Sequence, residues 1–276
     1  MDLSVIIPAQ NEAGYIGRCL AALAAQQMGG LRGEVIVSAN ACTDGTVREA
    51  RARAPHLAAA GWEIRILERA EPGKPGALNA ADAVARGATR IYLDADVKLD
   101  PAMVAALHRA LATEAPRYAS GTLEVAEARS WVTRHFSATW QRLPFMASTA
   151  PGAGLFAVNR AGRARWGAFP DIISDDGFAR LSFGPEERVQ VAASYSWPLV
   201  EGFRGLVRVR RRQDAGMREL AQRYPGMLAN EGKSPLGARD HARLFAAGPV
   251  SYAVYALVIL AVRLGRPERA RWVRGR

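Results

Sequence analysis

Over the first hundred residues, short apolar runs alternate with stretches of helical period. Leu3-Ser4-Val5-Ile6-Ile7-Pro8 reads as a buried strand, because an almost unbroken apolar run leaves no polar face for water. Ile16, Leu20 and Leu23 recur at helical spacing and predict a helix over 15–27. The same reading places strands at 34–38, 63–67 and 90–94 and helices at 46–53 and 76–86, with a further helix opened by Pro101. Such alternation predicts an α/β chain with a mostly parallel central sheet flanked by helices on both faces. Right-handed crossovers then gather the strand C-terminal ends on one edge, where ligands of open α/β sheets bind.

The pattern changes beyond Thr113. A strand is expected at 118–125, then an aromatic helix-like stretch over 128–146 carrying Trp131, Phe136, Trp140 and Phe145. Gly152-Ala153-Gly154 leads into a short strand at 155–158, and Ser174 is placed to cap a helix opened by Asp175 and Asp176. A basic helix-like run covers 206–224, and the glycine, proline and charge of 225–240 read as a linker. Residues 245–262 are uncharged and precede a basic tail with Arg263, Arg266, Arg269, Arg271, Arg274 and Arg276.

Composition narrows the class. Hydrophobic residues make up 49% and charged ones 23%, which suits a globular chain and not a disordered one. Cys19 and Cys42 stand in no metal-ligand spacing and are expected as reduced thiols. The start lacks the basic segment of a signal peptide, so the catalytic part is expected in the cytoplasm. Net charge is +11, and residues 201–276 hold 16 Lys and Arg against 6 Asp and Glu. The excess is therefore local, and suits an anionic membrane, a diphosphate or a nucleic acid. A nucleic-acid-binding protein is the weaker reading: aromatics interleaved with the basic residues are sparse, and no helix-turn-helix or RNP signature is present.

The candidate chemistry lies where strands end. Asp94-Ala95-Asp96 closes the fourth strand, and residues i and i+2 of an extended chain face the same way, so both carboxylates meet one ligand. Mg²⁺ or Mn²⁺ takes such oxygen ligands and shares them with substrate phosphates. Pro8-Ala9-Gln10-Asn11-Glu12 follows the first strand and reads either as a nucleotide contact or as an N-cap cluster. After the second strand, Asp44 either accepts from a base N–H or caps the helix at Thr46. Lys74, within Gly73-Lys74-Pro75-Gly76, precedes a helix and suits an anion. The adjacent Asp175 and Asp176 are tolerable beside a cation, or where one binds a proton. Among Arg208, Arg210, Arg211 and Arg212, Arg208 can share a helical face with Arg211 or Arg212, a pairing suited to phosphate oxyanions.

In this order the motifs resemble the family 2 glycosyltransferases, which use the GT-A fold; the likeness runs from Val5 to about Gly216. Val5-Ile6-Ile7-Pro8-Ala9-Gln10-Asn11-Glu12, Cys42-Thr43-Asp44-Gly45-Thr46, Gly73-Lys74-Pro75-Gly76-Ala77-Leu78-Asn79, the DAD triplet and Ser174-Asp175-Asp176 carry it. The resemblance implies a metal-dependent enzyme moving a sugar from a nucleotide diphosphate sugar to an acceptor hydroxyl with inversion. It implies that Glu12 and Asp44 hold the nucleoside, with Pro8, Ala9 and Lys74 near the donor. Asp94 would contact the ribose side or a water, Asp96 the metal, and Asp176, or Asp175 beside it, would be the base. Gly152, Ala153 and Gly154 would line the acceptor pocket, and Arg212 the diphosphate. Only the arginine of the processive QxxRW signature is present, at Arg212 between Val209 and Gln213, so the enzyme is expected to be non-processive. A nucleotidyltransferase is the rival; it would need a glycine-rich loop where Ala9-Gln10-Asn11-Glu12-Ala13-Gly14 stands.

The expected organisation is a GT-A domain over 1–224, with a nucleotide half at 1–113 and an acceptor half at 114–224. A linker at 225–240 and a membrane-associating helix and tail at 241–276 follow. As one helix, 245–262 would be about 27 Å long, marginal against a hydrocarbon core of about 30 Å. Arginines flank both of its ends, so a helix lying in or dipping into the anionic inner leaflet is expected, with a lipid-linked or glycan acceptor; a spanning helix and a buried structural helix are the alternatives.

Overall fold

In the computed structural model, residues 1–148 and 150–265 are described. The first half runs β1 (Leu3–Ala9), α1 (Ile16–Ala24), β2 (Gly33–Asn40), α2 (Thr46–Ala59), β3 (Trp62–Arg69), α3 (Lys74–Val84), β4 (Thr89–Leu93), β5 (Lys98–Leu99) and α4 (Met103–Ala110). The second half adds β6 (Tyr118–Val125), α5 (Trp131–Trp140), α6 (Pro144–Ser148), β7 (Leu155–Val158), α7 (Arg160–Arg163), α8 (Asp175–Leu181), β8 (Arg188–Trp197), α9 (Phe203–Arg223), α10 (Ala238–Ala247) and α11 (Pro249–Leu264).

The strands form one sheet in the order β3-β2-β1-β4-β7-β6-β8-β5. Strands β1 to β4 pair in parallel, whereas β7 is antiparallel to both β4 and β6. Every residue of β1 and β2 is buried, as expected for parallel strands covered on both faces. On one face α1 buries Ile16, Cys19, Leu20 and Leu23, one stripe at helical spacing, against Val5, Ile7, Val35 and Val37. The opposite face packs Ile6, Ile36 and Tyr92 with α3 and an aromatic group of Tyr118, Phe156, Trp166, Phe169 and Phe183. The ends of β1, β2 and β4 therefore sit on one fixed edge.

Three regions differ from the sequence reading. The stretch 128–146 is two helices, α5 and α6, because the first ends at Trp140 and Pro144 opens the second. The uncharged run 245–262 is broken at Gly248-Pro249 into α10 and α11. Proline has no amide hydrogen to continue the first helix, but it suits the start of the next. Residues 225–230 form a 3₁₀ turn, and the segment after it is tied down: Arg180 pairs with Glu231 at 2.6 Å. Arg211 donates to the Ala261 carbonyl (2.8 Å), and His135 meets Ser251 Oγ at 2.9 Å, so α11 is docked onto α9 and α5. Val254 and Val258 are buried there. Arg266, Arg269, Arg271, Arg274 and Arg276 lie outside the described residues.

Candidate active site

The loops after β1 and β2 are laced together. Asn11 stands in the left-handed region (φ 54°), and its Oδ1 accepts from Thr43 N at 2.6 Å. Glu12 N donates to Thr46 Oγ1 (2.6 Å), and Ala13 N donates to Asp44 Oδ2 (3.1 Å). Asp44 Oδ1 also accepts from Thr46 N at 3.0 Å, at the start of α2. The Asn40 amide joins these loops to the next, donating to Ala9 O (2.7 Å) and accepting from Gly73 N (3.0 Å). This fixes the position of Lys74, the first residue of α3.

Lys74 is the hub of the acidic group. Its ammonium lies 3.0 Å from Asp94 Oδ1 and 3.0 Å from Asp175 Oδ2. Burial opposes its charge, but Asp175, Asp94 and Asp176 outweigh burial and hold the ammonium well above the ordinary lysine range. Asp94 and Asp96 stand in a turn closed by Val97 N on Asp94 O (3.1 Å), not in the extended strand that the sequence predicts. Ala95 between them is buried, and both carboxylates still line one cavity. Burial, and then the Asp94 charge, push the Asp96 carboxyl up to about 7; Lys74 and the Trp197 side chain act in the opposite direction.

The two acids of α8 differ in environment. Asp175 is buried against Lys74, and burial pushes its carboxyl up, with Lys74 resisting and Asp176 adding to the rise. Asp176 is half-buried; its Oδ1 accepts from Ser174 Oγ (3.0 Å) and Gly177 N (2.7 Å). Ser174 thus donates to Asp176, and its side chain does not cap the helix. One oxygen of Asp176 is held in place while the carboxylate faces the cavity.

That cavity measures about 470 Å³. Pro8, Glu12, Lys74, Asp94, Asp96, Ala153, Gly154, Asp175, Asp176 and Arg212 all line it, so residues read from separate loops meet at one sheet edge. Gly152 lines a small side pocket with Tyr92 and Phe156, whereas Ala9 and Asp44 stand outside both linings. Gly152 and Gly154 have φ of 74° and 73°, and a Cβ on Gly152 would collide with the Tyr118 hydroxyl. Gly154 O accepts from Asp94 N at 2.8 Å, binding this loop to the DAD turn. Of the arginine run, Arg210 and Arg212 reach the cavity, Arg211 is spent on α11, and Arg208 is exposed.

Sequence reasoning missed Trp197, Arg180 and Lys233, which also line the cavity. Trp197 ends β8, whose half-polar sequence and half-exposed faces give no clean strand signal. Lys233 lies in the segment read as a linker.

The donor set fits a hard divalent cation. Asp94 and Asp96 offer carboxylate oxygens, and burial and crowding of negative charge have raised Asp96, a cost that a cation would relieve. Among the described residues no three or more such side chains are placed to share one metal ion. A cation here would complete its shell with substrate phosphates and water, the usual manner of Mg²⁺.

Comparison with known proteins agrees with this architecture. The family model described as glycosyl transferase family 2 matches residues 4–162. No curated protein matches the chain. Among solved structures, the mannosyltransferase PcManGT from Pyrobaculum calidifontis, in complex with GDP-Man and Mn²⁺, is 22% identical, covering 96% of this chain and 76% of that chain at a TM-score of 0.56. TarS 1–349 from S. aureus is 16% identical over 96% of this chain and 92% of that chain, with a TM-score of 0.55. Against a longer TarS chain, this protein spans 55% of its length. Glucosyl-3-phosphoglycerate synthase from Mycobacterium tuberculosis, in complex with Mg²⁺ and UDP, is 18% identical over 79% and 78%, with a TM-score of 0.55. At these identities the likeness is one of fold.

Proposed function

The chain belongs to glycosyl transferase family 2, and from that premise we propose that it transfers a sugar from a nucleotide diphosphate sugar to an acceptor hydroxyl, in one displacement that inverts the anomeric centre. The observation that carries this reading is the meeting of Lys74 with Asp94, Asp96, Asp175 and Asp176 in one cavity at the sheet's ligand edge.

Asp96, with Asp94, would hold Mg²⁺ or Mn²⁺, which when bound supplies positive charge to the departing diphosphate. Lys74 stays protonated throughout and supports the same charge. Pro8 and Glu12 bound the nucleoside side of the cavity, and Asp44 supports them by fixing the loop at Ala13. Arg212 enters from α9 on the diphosphate. Asp176 takes the proton of the acceptor hydroxyl as it attacks the anomeric carbon. Asp175 is committed to Lys74, which favours Asp176 as the base. Ala153 and Gly154 form the acceptor wall, with Gly152 behind them. The departures from the processive signature at Val209 and Gln213 favour a single transfer per encounter.

Asp176→Asn keeps the shape and removes the basic oxygen. Turnover is expected to fall by about 10²-fold or more while nucleotide affinity stays within twofold. Activity in Asp176→Asn together with a dead Asp175→Asn would move the base to Asp175.

We further propose that transfer takes place at an anionic lipid surface in the cytoplasm, on the uncovered face of α11. Val250, Leu257, Leu260 and Leu264 recur there at helical spacing and are exposed, with exposed Phe245 on α10 and Trp131 on α5. Exposed Arg243 and Arg263 supply the complementary charge.

A further inference from the structure

The part of the cavity beyond Asp176 is basic. Arg180 follows Asp176 by one turn of α8, at i+4, so the two share a helix face with Cβ atoms about 5–6 Å apart. The Arg180 guanidinium carbon lies 5.0 Å from the centre of the Phe145 ring, and Lys233 Nζ lies 4.8 Å from the same centre. Arg210 reaches the cavity from α9. Three cations therefore gather from three separate segments, α8, α9 and the stretch after the 3₁₀ turn.

The acids beside them are already engaged. Glu231 pairs with Arg180 at 2.6 Å, and Asp214 Oδ1 accepts from Arg210 at 3.3 Å. Lys233 has no ion pair among the described residues, and its neighbour Phe145 offers a ring face but no counter-charge. Arg210 Nε is buried with no hydrogen-bond partner among the described residues. Burial, and then Arg210, push the Lys233 ammonium below the ordinary lysine range, as expected of cations that crowd one another. A buried donor without an acceptor is costly, and the exposed Lys233 ammonium beside it is accessible to an arriving anion.

The donor has its own cationic partners at the other end, where Lys74 stands among the carboxylates. A group one helical turn beyond the base faces the body of the molecule whose hydroxyl the base deprotonates. We infer that Arg180, Arg210 and Lys233 form an oxyanion subsite for the acceptor, which carries a phosphate or carboxylate near the hydroxyl that receives the sugar. This rests on Asp176 being the base. A neutral glycan would leave Lys233 without a counter-charge and the buried Arg210 Nε without an acceptor.

The experiment separates this inference from the transferase reading. UDP and GDP are first titrated onto the full chain with Mg²⁺; if neither binds, the transferase reading falls and the subsite falls with it. Inorganic phosphate is then titrated onto the protein saturated with the nucleotide that binds. Phosphate is expected to bind, at least tenfold more weakly in Lys233→Gln, and with nearly wild-type affinity in Lys233→Arg. Nucleotide affinity should stay within twofold in both variants. No phosphate binding to the saturated protein, or a loss in Lys233→Gln that falls on the nucleotide instead, overturns the inference. Matched acceptors then identify the source of the oxyanion. Glycerol 3-phosphate against glycerol tests a soluble phosphate, and phosphatidic acid against diacylglycerol in vesicles tests a lipid one. Equal use of the neutral and the phosphorylated member of both pairs also overturns it.

Discussion

Asp94 and Asp96 are separated by one alanine whose methyl is buried, and the cavity receives the carboxylates on either side of it. Their types and spacing are legible in the sequence, because few other arrangements place two acids directly after an apolar strand. The turn that carries them is not legible, since it depends on Gly154 O accepting from Asp94 N, a contact across 60 residues of chain. Asp44 shows the opposite case: its sequence allowed a base contact or a cap, and in the structure both of its oxygens are engaged by Thr46 and Ala13. The raised Asp96 carboxyl has a measurable consequence. A cation binds the ionised form, so below about pH 7 it must displace a proton. Mn²⁺ affinity in the presence of nucleoside diphosphate, measured by calorimetry, is expected to fall about tenfold from pH 8 to pH 6. A flat profile would place the ionisation of Asp96 outside this window.

Among the elements, β1, β2 and β4 are readable because buried parallel strands are largely apolar runs rich in β-branched residues, whereas the edge strand β3 is readable from the alternation of Ile64 and Ile66 with charged residues. Strand β8 is not, because its faces are half-exposed and its residues mixed. The break between α10 and α11 is written in Gly248-Pro249, but an apolar run alone does not say whether its residues form one helix or two. Glu34 illustrates a constraint that only packing shows. Its side chain is fully buried at the edge of the sheet remote from the cavity, accepting from Ser4 Oγ at 2.7 Å and Arg86 N at 2.6 Å. Burial alone would raise its carboxyl, but Arg86 N, Ser4 and the Arg86 side chain hold it below the usual range. Its contribution is therefore complete at neutral pH and is lost as pH falls through the lowered value. Glu34→Met strands both buried donors and is expected to cost about 2 kcal/mol, read as a lower Tm. Nucleotide affinity at 25 °C should be unchanged; a loss of affinity at full stability would contradict this division between scaffold and site.

At the scale of the whole molecule, the basic charge and the apolar helix fall on the same quarter of the chain. Among the described residues no helix is long and apolar enough to cross a membrane. At 16 residues, α11 is about 24 Å long, and part of its surface is already packed on α5 and α9. The uncovered remainder suits an interfacial position. The full chain is expected to sediment with vesicles containing phosphatidylglycerol and not with neutral vesicles, and Leu257→Ser with Leu260→Ser should weaken the attachment several-fold. A chain that stays in the supernatant at low salt would contradict the surface assigned here.

If this cavity consumes a nucleotide sugar with the help of a divalent cation, the release of nucleoside diphosphate must depend on that cation. The most direct test is to incubate the full chain with UDP- and GDP-linked sugars in Mn²⁺, in excess chelator, and in chelator followed by added Mn²⁺ or Mg²⁺. Release of nucleoside diphosphate from at least one donor is predicted with metal, with loss on chelation, return on metal addition, and none in Asp96→Ala of unchanged Tm. Undiminished release in excess chelator, or no release from any donor under any condition, would contradict the account.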